Sequence, residues 1–201
     1  FALGICSGFS IMIAQRFGAG DYSGMRKFIA NSIYLCIAVA VILTAVTMLL
    51  TKPILTVMNT PKEIYDYAYN YIIIIFAGIS ATMFYNILSG ILRAVGDSRT
   101  PLIFLGVSSV LNVGLDLLCI IVFKMGVAGA GIATVISQAI SAFLCLIYIR
   151  KNYDILRFEH DELKFEAHRA KRLVSVGIPM ALQFSITAIG SIILQSAVNS
   201  L

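Results

Sequence analysis

The sequence contains no tryptophan, only four prolines and two histidines, and few charges: Asp, Glu, Lys and Arg make up 12% of its 201 residues. Soluble domains carry about 25% charged residues, so this chain lacks the polar side chains that a water-facing surface needs. Cys6, Cys36, Cys119 and Cys145 have no C-x-x-C spacing and no histidine close by in sequence, which leaves neither a zinc motif nor a disulfide framework. His160 and His168 fall together in one hydrophilic stretch, where solvated side chains are expected. No P-loop and no Ser-His-Asp arrangement occurs, so no enzymatic chemistry is indicated. The net charge is +5. In so apolar a chain that excess belongs to cytoplasmic loops and does not indicate a nucleic-acid partner.

Apolar side chains are abundant: 59% of residues are hydrophobic and the mean hydropathy is +0.92. Charge-free runs cover 1–15, 29–50, 68–92, 125–149 and 173–201, and 101–123 is interrupted only by Asp116. About 20 apolar residues cross the hydrocarbon layer as a helix. The six runs therefore predict an all-α, polytopic integral membrane helical bundle with six spans, the first truncated. No initiator Met precedes Phe1 and the last apolar run reaches Leu201, so both ends are expected to be cuts within helices of a longer protein.

Arg16, Arg26, Lys27, Arg93, Arg99, Arg150, Lys151, Arg157, Lys164, Arg169, Lys171 and Arg172 fall in alternate connections, whereas only Lys52, Lys62 and Lys124 fall in the others. This asymmetry predicts 18–27, 93–100 and 150–172 on the cytoplasmic side and Asn59 outside. Segment 150–172 mixes charges with Ile155, Leu156, Phe158, Leu163 and Phe165 at partly helical spacing, which suits the membrane surface. It reads either as a linker between helical bundles or as a plain loop. Gly4 and Gly8, and Gly126, Gly129 and Gly131 with Ala128 and Ala130, supply small residues for close helix approach.

Of the ten acidic residues, Asp116 alone sits inside a span. An ionised carboxylate near a helix centre costs about 2.5–3.5 kcal/mol on insertion scales, so it pairs, faces water or takes up a proton. Asn112 is one turn earlier on the same face. The short turn at 124–126 predicts an antiparallel hairpin. Asp116 lies seven residues before Phe123 and Thr134 seven after Val127, both about 10 Å below the outer helix ends. Asn112 and Gln138 lie one turn deeper. Counting thus predicts two polar levels, Asp116 with Thr134 and Asn112 with Gln138. A carboxylate, an amide oxygen and a hydroxyl suit a hard cation such as Na⁺, and a carboxylate in low dielectric also takes up H⁺. The alternative is that Asp116 and Asn112 merely hydrogen-bond neighbouring helices.

Three stretches carry a family resemblance. Ala14-Gln15-Arg16-Phe17-Gly18-Ala19-Gly20-Asp21 follows the first span, and Arg93-Ala94-Val95-Gly96-Asp97-Ser98-Arg99-Thr100-Pro101 follows the third. Asn112 and Asp116 then precede Gly126-Val127-Ala128-Gly129-Ala130-Gly131-Ile132-Ala133-Thr134 and Ser137-Gln138. In this order and spacing they resemble the multidrug and toxic compound extrusion (MATE) family. The resemblance implies twelve spans in two six-helix lobes related by a pseudo-twofold axis. Residues 1–149 then hold spans two to six of the N-terminal lobe, 150–172 the cytoplasmic interlobe loop, and 173–201 the truncated first helix of the C-terminal lobe, with Pro179 near its start. The first span and the rest of the C-terminal lobe would be the missing partners within the same protein.

The resemblance further implies a transporter without a cofactor, set in the lipid bilayer of a bacterial inner (plasma) membrane. It would exchange H⁺ or Na⁺ for small organic cations by alternating access. In similar transporters, residues matching Asn112, Asp116 and Thr134 form the cation site with an aspartate from the first span, which would lie upstream of Phe1. Some branches carry a coupling glutamate in the seventh span. Here 174–201 holds only neutral polar residues such as Gln183, Thr187 and Gln195, which favours a first-lobe mechanism. Gln15, Arg93, Asp97 and Arg99 are candidates for a cytoplasmic gate or for plain helix-end solvation, and Phe76, Met83, Phe84 and Tyr85 for a cavity taking flat cations or for plain contact with lipid or core. A flippase for lipid-linked saccharides would call for basic residues inside the spans, which hold none, and a membrane scaffold would need no acid at membrane depth.

Overall fold

A computed structural model describes residues 1–57 and 61–199; Asn59 and Leu201, and the side chain of His160, lie outside the described set. The chain forms α1 (Ala2–Gly18), α2 (Tyr22–Val57), α3 (Lys62–Ala77), α4 (Ile79–Ala94), α5 (Arg99–Leu117), α6 (Gly126–Asn152) and α7 (Ala167–Asn199), with no strand among the described residues. Five helical units are long and apolar enough to cross a membrane. One of these, Lys62–Ala94, is built from α3 and α4 and interrupted at Gly78, and α1 adds a further apolar helix of 17 residues. The interruption at Gly78 is a packing feature, because a Cβ there would run into Val135 of α6.

The two loop signatures fold by the same device. Gly20 turns the chain at φ +70° and Asp21 then accepts a hydrogen bond from the Gly24 amide at 2.9 Å, capping α2. Gly96 turns it at φ +93° and Asp97 accepts from the Thr100 amide at 3.0 Å, capping α5. A residue with a Cβ is strained at such φ values, while a side-chain oxygen satisfies a first-turn N–H that has no helical partner.

The helices run beyond the charge-free stretches. Residues 150–152 continue α6 and 167–172 begin α7, so the expected 150–172 loop shortens to 153–166. Pro179 consequently lies well inside α7 and not near its start. At that depth it removes one main-chain hydrogen bond from the helix.

The connecting strap is pinned along α2. Glu162, with a side chain 3% exposed, accepts hydrogen bonds from Arg26 Nε at 2.5 Å, Arg26 Nη2 at 2.8 Å, the Ser23 hydroxyl at 2.9 Å and its own strap's Glu159 amide at 3.0 Å. The Arg26 guanidinium leads this set and holds the Glu162 carboxyl down at about 2, against the opposing effect of burial. Tyr34 donates to the Leu163 carbonyl at 2.9 Å and Asn31 Oδ1 accepts from the Glu166 amide at 2.9 Å. Leu156 turns into the core, whereas Phe158, Leu163 and Phe165 stay exposed.

Helix α1 is central, packed against α2, α4 and α7. Its crossing with α7 brings backbones together: Gly4 abuts Ala181, and a Cβ on Gly8 would lie 2.6 Å from the Gly177 Cα. Small residues on both helices permit this approach, the usual means of helix association in lipid. Phe9, Ile13, Phe28, Leu92 and Leu173 fill the core around it.

Candidate functional site

Helices α5 and α6 form the expected hairpin, in a different register from the count. Asn112 Nδ2 donates to Thr134 Oγ1 at 3.4 Å, Ser108 Oγ to the Ser137 carbonyl at 3.1 Å, and Ser141 Oγ to the Phe104 carbonyl at 3.4 Å. Asn112 therefore pairs with Thr134 where counting pairs it with Gln138, and Asp116 makes no hydrogen bond to Thr134. The cause is the turn. Leu118–Val122 is wound as a π-helical segment, and the Met125 amide donates back to the Cys119 carbonyl at 3.0 Å. Lys124 and Gly126, at φ +52° and +58°, complete the reversal, so α6 starts beside Cys119 and not beside Phe123. This shifts the facing residues by about one helical turn.

The result is a polar seam on three levels, with Asp116 one turn outward of the Asn112–Thr134 pair and Gln138 one turn inward. The Thr134 hydroxyl donates its own hydrogen bond to the Ala130 carbonyl at 2.9 Å, leaving its oxygen as an acceptor. Asp116 Oδ1 and Gln138 Oε1 are buried with no hydrogen-bond partner among the described residues. A buried acceptor left unmet costs roughly 1–3 kcal/mol. Oxygen ligands alone suit a proton or a hard monovalent cation and exclude soft metals. Among the described residues no group of three or more His, Cys, Asp or Glu side chains could hold a metal ion. Ser108 and Ser141 extend the seam without having been singled out, although the polar spacing 108, 112, 116 repeats every four residues.

The four expected gate residues are not brought together. Gln15, Arg93 and Arg99 are exposed and make no ion pair among the described residues. Asp97 instead accepts from the Tyr153 hydroxyl at 3.0 Å, across 56 residues of sequence. Burial pushes the Asp97 carboxyl up, but hydrogen bonds from Thr100, Tyr153 and the Arg99 amide outweigh it and hold the group below the usual carboxylate range. Burial first, and then the Asp97 carboxylate, raise Tyr153 to about 12. Nothing local in the sequence marks Tyr153. Of the four cavity candidates, Met83 and Phe84 line a cavity of about 410 Å³ between α2, α4 and α6. Tyr85 is buried and donates to the Pro101 carbonyl at 3.0 Å, and Phe76 does not line the cavity.

The sequence model of the MatE family matches residues 1–118. The chain belongs to the MATE family. It is 33% identical over 201 residues to the probable multidrug resistance protein YpnP of Bacillus subtilis (strain 168), covering 100% of this chain and 44% of that protein. It superposes with a TM-score of 0.83 on an inward-facing conformation of a multidrug resistance MATE family transporter of the MOP superfamily, at 26% identity, over 90% of this chain and 41% of the other. The corresponding values for an outward-facing conformation are 0.87, 26%, 97% and 44%. The chain thus spans less than half the length of these MATE relatives. MATE proteins are transporters and not enzymes, and a bundle of apolar spanning helices is the fold on which they are built.

Proposed function

We propose that the full-length protein is a multidrug exporter of the plasma membrane, which releases small organic cations outward in exchange for inward H⁺ or Na⁺. In this reading α1 to α6 belong to the N-terminal lobe and α7 opens the C-terminal lobe. The observation that carries it is Asp116: an acid at membrane depth, one carboxylate oxygen buried and unpartnered, one turn from the Asn112–Thr134 contact. Asp116 takes the coupling ion. Asn112 and Thr134 contribute oxygens to Na⁺ or hydrogen bonds that set how readily Asp116 accepts H⁺, and Gln138 serves the inner side of the seam. Ion binding drives the cycle only in so far as the two conformations differ in affinity for it. Cytoplasmic placement of 18–27, 93–100 and 153–166 puts the Asp97–Tyr153 contact at the inner gate, in place of the four-residue set.

The test is efflux of a fluorescent organic cation from vesicles containing the full-length protein, under imposed proton or sodium gradients and with protein amount controlled. Asp116→Asn keeps size and hydrogen-bonding capacity but removes the titratable charge, so ion-driven efflux is expected to be lost while membrane insertion is retained. Asn112→Ala and Thr134→Ala are expected to weaken it less. Wild-type efflux by Asp116→Asn under both gradients would remove Asp116 from the mechanism.

A further inference from the structure

Two cavities lie end to end on the face formed by α2, α4 and α6, and they share Ile33. The inner one, about 580 Å³, is lined by Leu88 and Ile91 of α4, by the last turn of α6 and by Arg150 and Arg157. Its helical residues all lie within about two turns of the cytoplasmic ends expected from the charge asymmetry. The other, about 410 Å³ and lined only by apolar side chains and Ser80, continues along α2 as far as Val41. From Ile29 to Val41 the furrow runs about 18 Å at 1.5 Å per residue, against about 15 Å for half of the hydrocarbon layer. It is therefore one leaflet deep, apolar along its length and basic at its cytoplasmic mouth.

The furrow also opens to one side of the α1 contact with α7. On α4, Gly90 meets Ser10 of α1, the helix most extensively packed against α7. At 100° per residue the α4 residues that line the two cavities centre about 100° round the helix from Gly90. Val41 and Phe143, which line the furrow, are 62% and 61% exposed.

We propose that this furrow is a binding site for an anionic phospholipid of the cytoplasmic leaflet, one acyl chain lying along α2 and the phosphodiester held by Arg150 and Arg157. Charge complementarity selects the occupant. No acidic residue lines either cavity, and Arg150 makes no ion pair among the described residues. Arg157 pairs with Asp154 at 2.9 Å, an exposed contact that a phosphate displaces at little cost. Arginine suits phosphate geometry, and two arginines repel the ammonium that a zwitterionic headgroup would bring. Basic pockets between helices on the cytoplasmic side are where anionic headgroups bind.

The experiment is native mass spectrometry of the full-length protein in detergent, with phosphatidylglycerol or phosphatidylcholine of identical chains. Phosphatidylglycerol is expected to be retained preferentially, with about a fivefold loss for each arginine removed in Arg150→Gln and Arg157→Gln and no change for phosphatidylcholine. Ala139→Phe, which fills the apolar furrow without touching charge, is expected to lower retention of both lipids. The proposal is overturned if the doubly substituted protein retains phosphatidylglycerol as the parent does, if soluble glycerophosphate competes as well as the lipid, or if Ala139→Phe changes nothing. Equal retention of the two lipids by the parent also overturns it, as expected were the furrow covered by another span of the same protein.

Discussion

Glu162→Ala is the most direct test of how the strap is held. The substitution removes four hydrogen bonds from two buried carboxylate oxygens and leaves the Arg26 guanidinium, 15% exposed, with only a 3.8 Å contact to Glu159 and a 3.3 Å bond to the Ile155 carbonyl. Breaking a buried ion pair from one side costs about 3–5 kcal/mol. At the lower end that multiplies the population of the locally opened strap by roughly a hundred. Trypsin cleavage after Arg157 and Lys164 reads that population when opening and closing are fast compared with cleavage. The full-length protein in detergent is expected to be nicked within 153–166 about a hundredfold faster, while cleavage elsewhere is unchanged. A change of less than about threefold would refute the reasoning, since an exposed pair is worth only ~0.2–1 kcal/mol. The same contact sets a pH dependence. The folded carboxyl titrates at about 2, below its unfolded value, so its contribution is complete above pH ~4.3 and is lost as pH falls towards 2. Protection of the strap amides, taken relative to the intrinsic exchange rate at each pH, is expected to fall across that window in the parent and not in Glu162→Ala.

Further tests address other contacts. Gly8→Leu forces a side chain against the Gly177 backbone, which cannot yield as a side chain can, so thermal stability is expected to fall by about 1–3 kcal/mol or more. Gly18→Ala, with nothing within 4 Å of the new methyl, is the control and should leave stability unchanged or slightly raised. Gly96→Ala places a Cβ at φ +93° and is expected to cost about 1–2 kcal/mol in a denaturation midpoint, and no loss there would rule out the loop-and-cap account. Vesicles holding residues 1–201 alone are expected to show no ion-driven efflux, because alternating access moves one repeat against the other; sustained efflux would contradict the two-lobe reading.

The spans were legible because lipid imposes one rule everywhere: a run of about 20 apolar residues becomes a helix. The rule is silent where the membrane stops. Arg26, Lys27, Arg169, Lys171 and Arg172 are charged yet helical, since a helix leaving the bilayer needs no apolar side chains, and the helix start expected near Pro179 consequently lies about three turns earlier. Depth counting picked out the residues of the polar seam but misregistered them by a turn, because it treats a hairpin as two rods joined at a point. The backward bond from Met125 to Cys119 depends on how the turn packs, which no count of residues contains. Asp97 was visible within its signature, whereas its partner Tyr153 and the Arg26–Glu162 pair are contacts across 56 and 136 residues.

The ten acidic residues divide in a way that bears on the site. Seven of them, Asp21, Asp97, Asp154, Glu159, Asp161, Glu162 and Glu166, accept hydrogen bonds or ion pairs, and all lie in or beside the connections. Glu63 and Asp66 stand exposed in the first turns of α3. Asp116 is the remaining one, and it combines membrane depth with a buried oxygen that nothing among the described residues satisfies. A purely structural acid would be expected where the fold can complete its hydrogen bonds, as Glu162 does with four donors. Under the proposed coupling role, a proton or Na⁺ would meet the carboxylate oxygen that the described residues leave without a partner. Asn112 and Thr134 sharpen the contrast, because Asn112 donates to Thr134 one turn away while Asp116 Oδ1 and Gln138 Oε1 on either side have no partner among the described residues. Under that proposed role, these unmet oxygens are what supports reading the seam as a ligand-binding row and not as an interhelical clasp.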